Sequence, residues 1–171
     1  EKMGECCLAA ESYEKAGSWD DLLRTVGQDR GLSFGPERLP LMRRWMANCP
    51  EECQLRHPRA LLVFMLLLFY GRDIPEMQRY HGLFQRSMAL CTDLSRQEQD
   101  QLEGEALLRL SFLCFNDISA MSAYHRQIRA LIPADRNPWT QGSPSVLMLY
   151  HSKSGSLDRE NDEMRECMPI Y

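Results

Sequence analysis

The 171-residue chain has no apolar run longer than the 11 residues from Ala60 to Tyr70. A helix needs about 20 such residues to cross a bilayer, so this run reads as a buried helix and no membrane partner is expected. No secretory signal opens the sequence, and the predicted location is cytoplasmic. There is no phosphate loop of the form G-x-x-x-x-G-K-[ST], no G-x-S-x-G elbow and no H-E-x-x-H pair, which removes the commonest signatures of nucleotide, ester and zinc-peptidase chemistry. Excess positive charge is also missing. A net charge of −4 argues against nucleic-acid binding by these residues themselves, because phosphate contacts need a basic surface. Arg38, Arg43 and Arg44 form a local basic candidate and read as a solvated helix face.

Cysteine is present but not patterned. The seven residues Cys6, Cys7, Cys49, Cys53, Cys91, Cys114 and Cys167 are odd in number and contain no Cys-x-x-Cys pair. Cys49 and Cys53 are four apart, but Pro50 lies between them and no His follows at zinc-finger spacing. All seven are read as free thiols of a reducing compartment, and no metal ligand is expected. Glu98, Glu103 and Glu105 fall in a polar helix start, where carboxylates suit the helix dipole. With no convergent acid–base or metal set, no catalytic residue is assigned and the chain is not expected to be an enzyme.

What the chain does contain is a doubled pattern. The first copy is Arg59-Ala-Leu-Leu-Val-Phe-Met-Leu-Leu-Leu-Phe-Tyr70, the turn Gly71-Arg-Asp-Ile74, and Pro75 to Leu90. The second is Gly104-Glu-Ala-Leu-Leu-Arg-Leu-Ser-Phe-Leu-Cys-Phe115, the turn Asn116-Asp-Ile118, and Ser119 to Ile132. The copies are offset by 45 residues before the turn and 44 after it. Ile74, Met77, Tyr80, His81 and Phe84 match Ile118, Met121, Tyr124, His125 and Ile128. A helix–tight turn–helix unit repeated at this period predicts an all-α solenoid of antiparallel helix pairs, a tetratricopeptide-like right-handed superhelix.

Hydrophobic residues at 44% and charged residues at 26% suit one globular domain with its own core, here residues 1–171. Helix pairs are expected at about 5–28, 36–48, 57–93, 96–132 and 144–168. Gly17 suits a left-handed helix end, and Ser18 can cap the helix that begins at Trp19. Pro36, Pro58 and Pro75 fit helix N-termini. The run from Ala60 to Tyr70 is apolar on every side, so burial on both sides is expected; Leu66, Leu67, Phe112 and Leu113 should be almost fully buried. Gln97 to Glu105 is polar and should face water. Pro133 to Pro144, with Trp139, reads as a linking loop, and Lys153 to Leu157 as a further turn before an acidic last helix. The chain opens and closes on helices, so it is expected to be part of a longer protein.

Two groups are candidates for a ligand or partner groove. Tyr80-His81 and Tyr124-His125 are the most distinctive polar positions of the repeat, and Trp45 adds an aromatic platform. Each has an alternative role in helix packing: a repeat reuses its packing positions, and Trp45 and Tyr80 sit at core spacing.

The wording of the helices resembles a known family. Ala9-Ala-Glu-Ser-Tyr-Glu-Lys-Ala-Gly-Ser-Trp-Asp-Asp-Leu22 resembles the phrase A-A-x-x-[YW]-x-x-A-G-x-[WY]-x-x-[AL] of the MalT-like branch of large bacterial LuxR-type activators. Trp45-Met-Ala-Asn-Cys-Pro-Glu-Glu52 resembles the family's W-[LI]-x-x-[LI]-P-x-[ED], with Cys49 in place of the usual Leu or Ile. Arg56-His-Pro-Arg-Ala-Leu-Leu62 resembles its [RH]-P-x-L-x-L. The resemblance covers Leu8 to about Ile132, with an irregular loop at Gly31 to Gly35.

It implies a sensor or interaction segment that couples an unknown small-molecule effector or protein partner to transcription, with possible self-association. ATP would be bound by an N-terminal domain and DNA by a C-terminal helix-turn-helix, both outside these residues. No cofactor is expected in the segment itself. The alternative is a tetratricopeptide-like scaffold that docks a peptide or protein and has no role in transcription.

Overall fold

A computed structural model describes residues 2–30, 33–114 and 117–132, together with Asp158 and Asp162. Every regular element among the described residues is helical, so the expectation of an all-α chain holds. The expected loop at 133–144, the turn at 153–157 and nearly all of the last helix pair lie outside the described residues. The chain divides into two compact units, Glu1–Ser95 and Arg96–Tyr171.

The first unit begins with α1 (Lys2–Ala16) and α2 (Trp19–Asp29). Gly17 joins them with φ +68°, the left-handed conformation that a side chain would resist. Ser18 stands at the N-cap of α2, but its side chain caps nothing. The two helices run antiparallel: Cys7 near the start of α1 reaches the carbonyl of Ser33, just past the end of α2. Ser33 is in turn held by Asp29, which accepts from both its N–H and its hydroxyl at 2.7 Å. Phe34 then tucks under the core, its ring edge-on to Trp45 at 6.1 Å.

The helix expected from Pro36 starts as a 3-10 turn, Pro36–Arg38, and becomes α3 (Leu39–Asn48). Pro50 breaks it, because the residue before a proline avoids helical geometry; Cys49 is extended at φ −76° and ψ 129°. The short α4 (Glu51–Leu55) follows. Its buried Gln54 donates to the carbonyls of Met46 and Cys49, both at 2.8 Å. One amide thereby satisfies two of the carbonyls that a helix end leaves open.

Pro58 opens α5 (Pro58–Tyr70), and three residues later the chain turns back as α6 (Ile74–Leu90). The left-handed residue of this turn is Arg72, at φ 57°, and Gly71 is right-handed. Ala60 to Met65, Leu67 and Leu68 are all buried; each large side chain stabilises the unit by about 1.5–3 kcal/mol. Leu66 departs from expectation. Leu66 and Phe69 are half-buried and Tyr70 is 52% exposed. These residues lie three and four apart on one helical face, and that face is only partly covered. At the N-terminal end of α5, α2 approaches closely. A Cβ on Gly27 would lie 2.9 Å from the Cβ of Arg59, so a glycine lets the two backbones meet.

In the second unit, α7 (Arg96–Ser111) and α8 (Ile118–Leu131) pack together. Gly104 in the middle of α7 faces Ile132 just past the end of α8. The α-helical run expected through Phe115 gives way at Ser111 to a 3-10 turn, Phe112–Cys114. Tighter winding turns successive side chains off the α-helical stripe, and Phe112 and Leu113 are half-buried rather than enclosed. Nor does the start of α7 lie wholly in water. Leu102, Gly104 and Glu105 are buried, with the Glu105 carboxylate 3.5 Å from the guanidinium of buried Arg109 one turn on.

The repeat is visible in the caps. Asp73 accepts from the N–H of Glu76 at 3.3 Å, and Asp117 from the N–H of Ala120 at 3.1 Å. These aspartates stand 44 residues apart, at equivalent places in the two turns. Both are N-caps, the position where a short side-chain oxygen meets an unpaired helix N–H.

Candidate functional site

The five candidate groove residues are distributed over both units. Trp45 is fully enclosed and Tyr80 is 4% exposed. Trp45 packs on Phe34; Tyr80 packs edge-on to Phe64 at 4.6 Å, with the guanidinium of Arg79 4.4 Å over its ring. Their faces are consumed by the core, which corrects the reading of these two as groove platforms. His81 is half-buried and lies parallel to Phe84 at 6.5 Å. Burial pushes its imidazole below the ordinary value.

In the second unit the burial is exchanged. His125 is the buried member, at 7% exposure, and Tyr124 is half-buried. Matched core positions hold in both copies: Met77 and Met121, Phe84 and Ile128 are buried. His125 is therefore also a core side chain, leaving His81 and Tyr124 partly accessible.

A different part of the first unit gathers chemistry. An open cleft of about 400 Å³ lies between the α1–α2 turn and α4. Gly17 and Ser18 line it from the turn, Asp20 and Asp21 from the first turn of α2, and Cys53 and Arg56 from α4 and its end. Asp20 is its focus. Its carboxylate accepts from Arg56 through Nε at 3.1 Å and Nη2 at 2.8 Å, and meets His57 Nε2 at 2.9 Å. The Arg56 guanidinium, and then His57, hold this carboxyl well below the usual carboxylate range, so it is an anion at any physiological pH.

Beside it, the Cys53 Sγ lies within 4.8 Å of both the Asp20 carboxylate and the His57 ring. Cys53 is 4% exposed, and burial raises its thiol pKa. Cys49 is buried nearby, and desolvation, then the neighbouring Cys53, pushes it up to about 12. All six described cysteines are free thiols; Cys167 lies outside the described residues.

This cluster escaped the sequence reading, which weighed Cys53 only against Cys49. The available signal was the spacing of four between Cys53 and His57. The third member is 33 residues earlier in sequence than Cys53, and only folding brings it in. Chemically, the cleft offers a fixed anion, a buried thiol and an arginine, with the His57 imidazole against the Asp20 carboxylate, open to a small polar or ionic ligand.

The three phrases that carry the family resemblance all fall in this unit: across α1–α2, across α3–α4, and from the end of α4 into α5. Comparison with known protein families, curated proteins and solved structures finds no match to the chain.

Proposed function

We propose that the chain is a sensor or protein-interaction segment of a bacterial LuxR-type, MalT-like transcription activator, coupling an effector or partner to regulation. The observation that supports this reading is the tie between its first and third phrases: Asp20 of the first is bound by Arg56 and His57 of the third. The phrases thus lie within one packing unit. On this reading the segment itself performs no catalysis and holds no ATP. ATP binding and DNA binding belong to other domains of a cytoplasmic protein. Among the described residues, no helix is long and apolar enough to cross a membrane.

The test has two parts. A coding sequence that places a nucleotide-binding domain before this segment and a helix-turn-helix after it supports the regulator reading; their absence overturns it in favour of a protein-docking scaffold. A thermal-shift screen against sugars, short peptides and small metabolites then reads the sensor role. A ligand at 100 times its dissociation constant stabilises by about 2.7 kcal/mol, and a saturable shift identifies the effector class.

A further inference from the structure

The geometry points to a binding site for a zinc-class divalent cation formed by Asp20, Cys53 and His57. One carboxylate oxygen, one sulfur and one imidazole nitrogen lie within 4.8 Å of one another. Ligands of a tetrahedral zinc ion with bonds of about 2.0–2.3 Å are separated by about 3.3–3.8 Å. The three atoms are therefore within about an ångström of the required spacing, and the Asp20–His57 pair at 2.9 Å is already closer than it. A side-chain rotation closes the remainder.

The donor set selects the metal. Magnesium and calcium take oxygen ligands. A thiolate, an imidazole and a carboxylate together suit zinc and its neighbours. The protein prepares the site from two directions. Cys53 lies within α4 and His57 two residues past its end, at the N-cap of α5, and the bend between the helices brings the two side chains together. Asp20 arrives from α2. Arg56 grips both Asp20 oxygens, donating to Oδ2 at 2.8 Å and to Oδ1 at 3.0 and 3.1 Å; Oδ1, which also meets His57 Nε2 at 2.9 Å, is the oxygen placed beside the imidazole. A hydrogen-bonded second partner of this kind commonly orients a metal-bound carboxylate.

Exposure grades across the site. Cys53 is buried, the His57 side chain is 18% exposed and that of Asp20 is 56% exposed. The ion would sit at the rim of the cleft with three protein ligands and a fourth position open to water or a small anion. Binding exchanges the Cys53 S–H bond for a sulfur–metal bond and releases that proton to solvent. It also staples α2 to the α4–α5 junction. This inference stands apart from the regulator reading.

Cobalt(II) titration of the reduced, chelator-treated chain is the direct test, because tetrahedral cobalt–thiolate sites absorb visibly and show a sulfur-to-metal charge-transfer band. One ion per chain is expected, displaced by zinc, with a thermal midpoint that rises with zinc concentration. Cys53→Ser should abolish the charge-transfer band. Asp20→Asn and His57→Gln should each weaken binding at least about tenfold. Cys49→Ser should retain the band, since the Cys49 thiol turns to the Pro50 carbonyl at 3.6 Å. No uptake, a band that survives Cys53→Ser, loss of the band in Cys49→Ser, or full affinity in the Asp20→Asn/His57→Gln double variant overturns the assignment. The last pair decides the matter even if Cys53→Ser fails to fold, because both residues lie at the accessible rim.

Discussion

The hydroxyl of Ser87, near the end of α6, donates a 2.6 Å hydrogen bond to the carbonyl oxygen of Leu55, where α4 ends. Ser87 is fully buried, and the bond pins the returning helix to the junction that precedes α5. Ser87→Ala leaves that carbonyl with only the weak thiol of Cys91, 3.6 Å away. Losing a buried partner in this way should cost about 1–3 kcal/mol, read as a lower urea midpoint with an unchanged slope.

Leu66 and Leu67 are adjacent, but the fold treats them differently. Leu67 is 1% exposed, whereas Leu66 is half-buried. Leu67→Ala should destabilise by about 2–5 kcal/mol, the range for truncating an enclosed leucine. Leu66→Ala should cost clearly less, because it removes less buried surface and leaves no closed cavity. Chemical denaturation of the two variants side by side measures the difference; equal costs would mean that the outer face of α5 is covered.

His81 makes stability depend on pH. Burial lowers its pKa in the folded chain, so near its ordinary value of about 6.5 the unfolded chain binds the proton more readily. The stabilisation from neutral His81 is complete above that value and is lost as pH falls through the lowered folded pKa. Denaturation midpoints should therefore drop as the pH falls below about 6.5. His81→Gln should flatten that part of the profile, while a slope identical to the parent's would assign it to other groups.

The two aspartate caps predict parallel behaviour in the two units. Asp117→Ala should cost about 0.5–2 kcal/mol, and Asp117→Asn should recover most of it, since Asn caps as well as Asp. Asp73→Ala should act in the same direction in the first unit and in addition release Arg43, which pairs with that carboxylate at 2.5 Å. Amide exchange at Glu76 and Ala120 reads each cap separately: faster exchange is expected in the Ala variants and near-parental exchange in the Asn variants.

The repeat was legible because helical periodicity is a local property. The spacing of Met77, Tyr80 and Phe84, and of Met121 and Ile128, marks a buried stripe whatever surrounds it. Gly17 was likewise readable, since a left-handed helix end has few other solutions. The matched Tyr–His pairs were legible as positions but not as environments. A small rotation about the helix axis decides which of two adjacent side chains points inward, and the copies resolve it oppositely, with Tyr80 inside in one and His125 inside in the other. The groove reading of Trp45 failed for a related reason: a large aromatic on an apolar stripe looks the same in sequence whether it is capped by Phe34 or left open.

By itself, the sequence determined that the chain is helical, where its helices turn and which faces are apolar, because these follow from short-range sterics and from periods of three and four residues. Only the tertiary structure decided which of the apolar positions on α5 stay half-exposed, and that the close pass of α2 over α5 falls at Gly27. It also decided that Asp20, Cys53 and His57 share one place. Those outcomes depend on how helices distant in sequence pack, and no local pattern encodes the distance between side chains that the chain carries 33 residues apart.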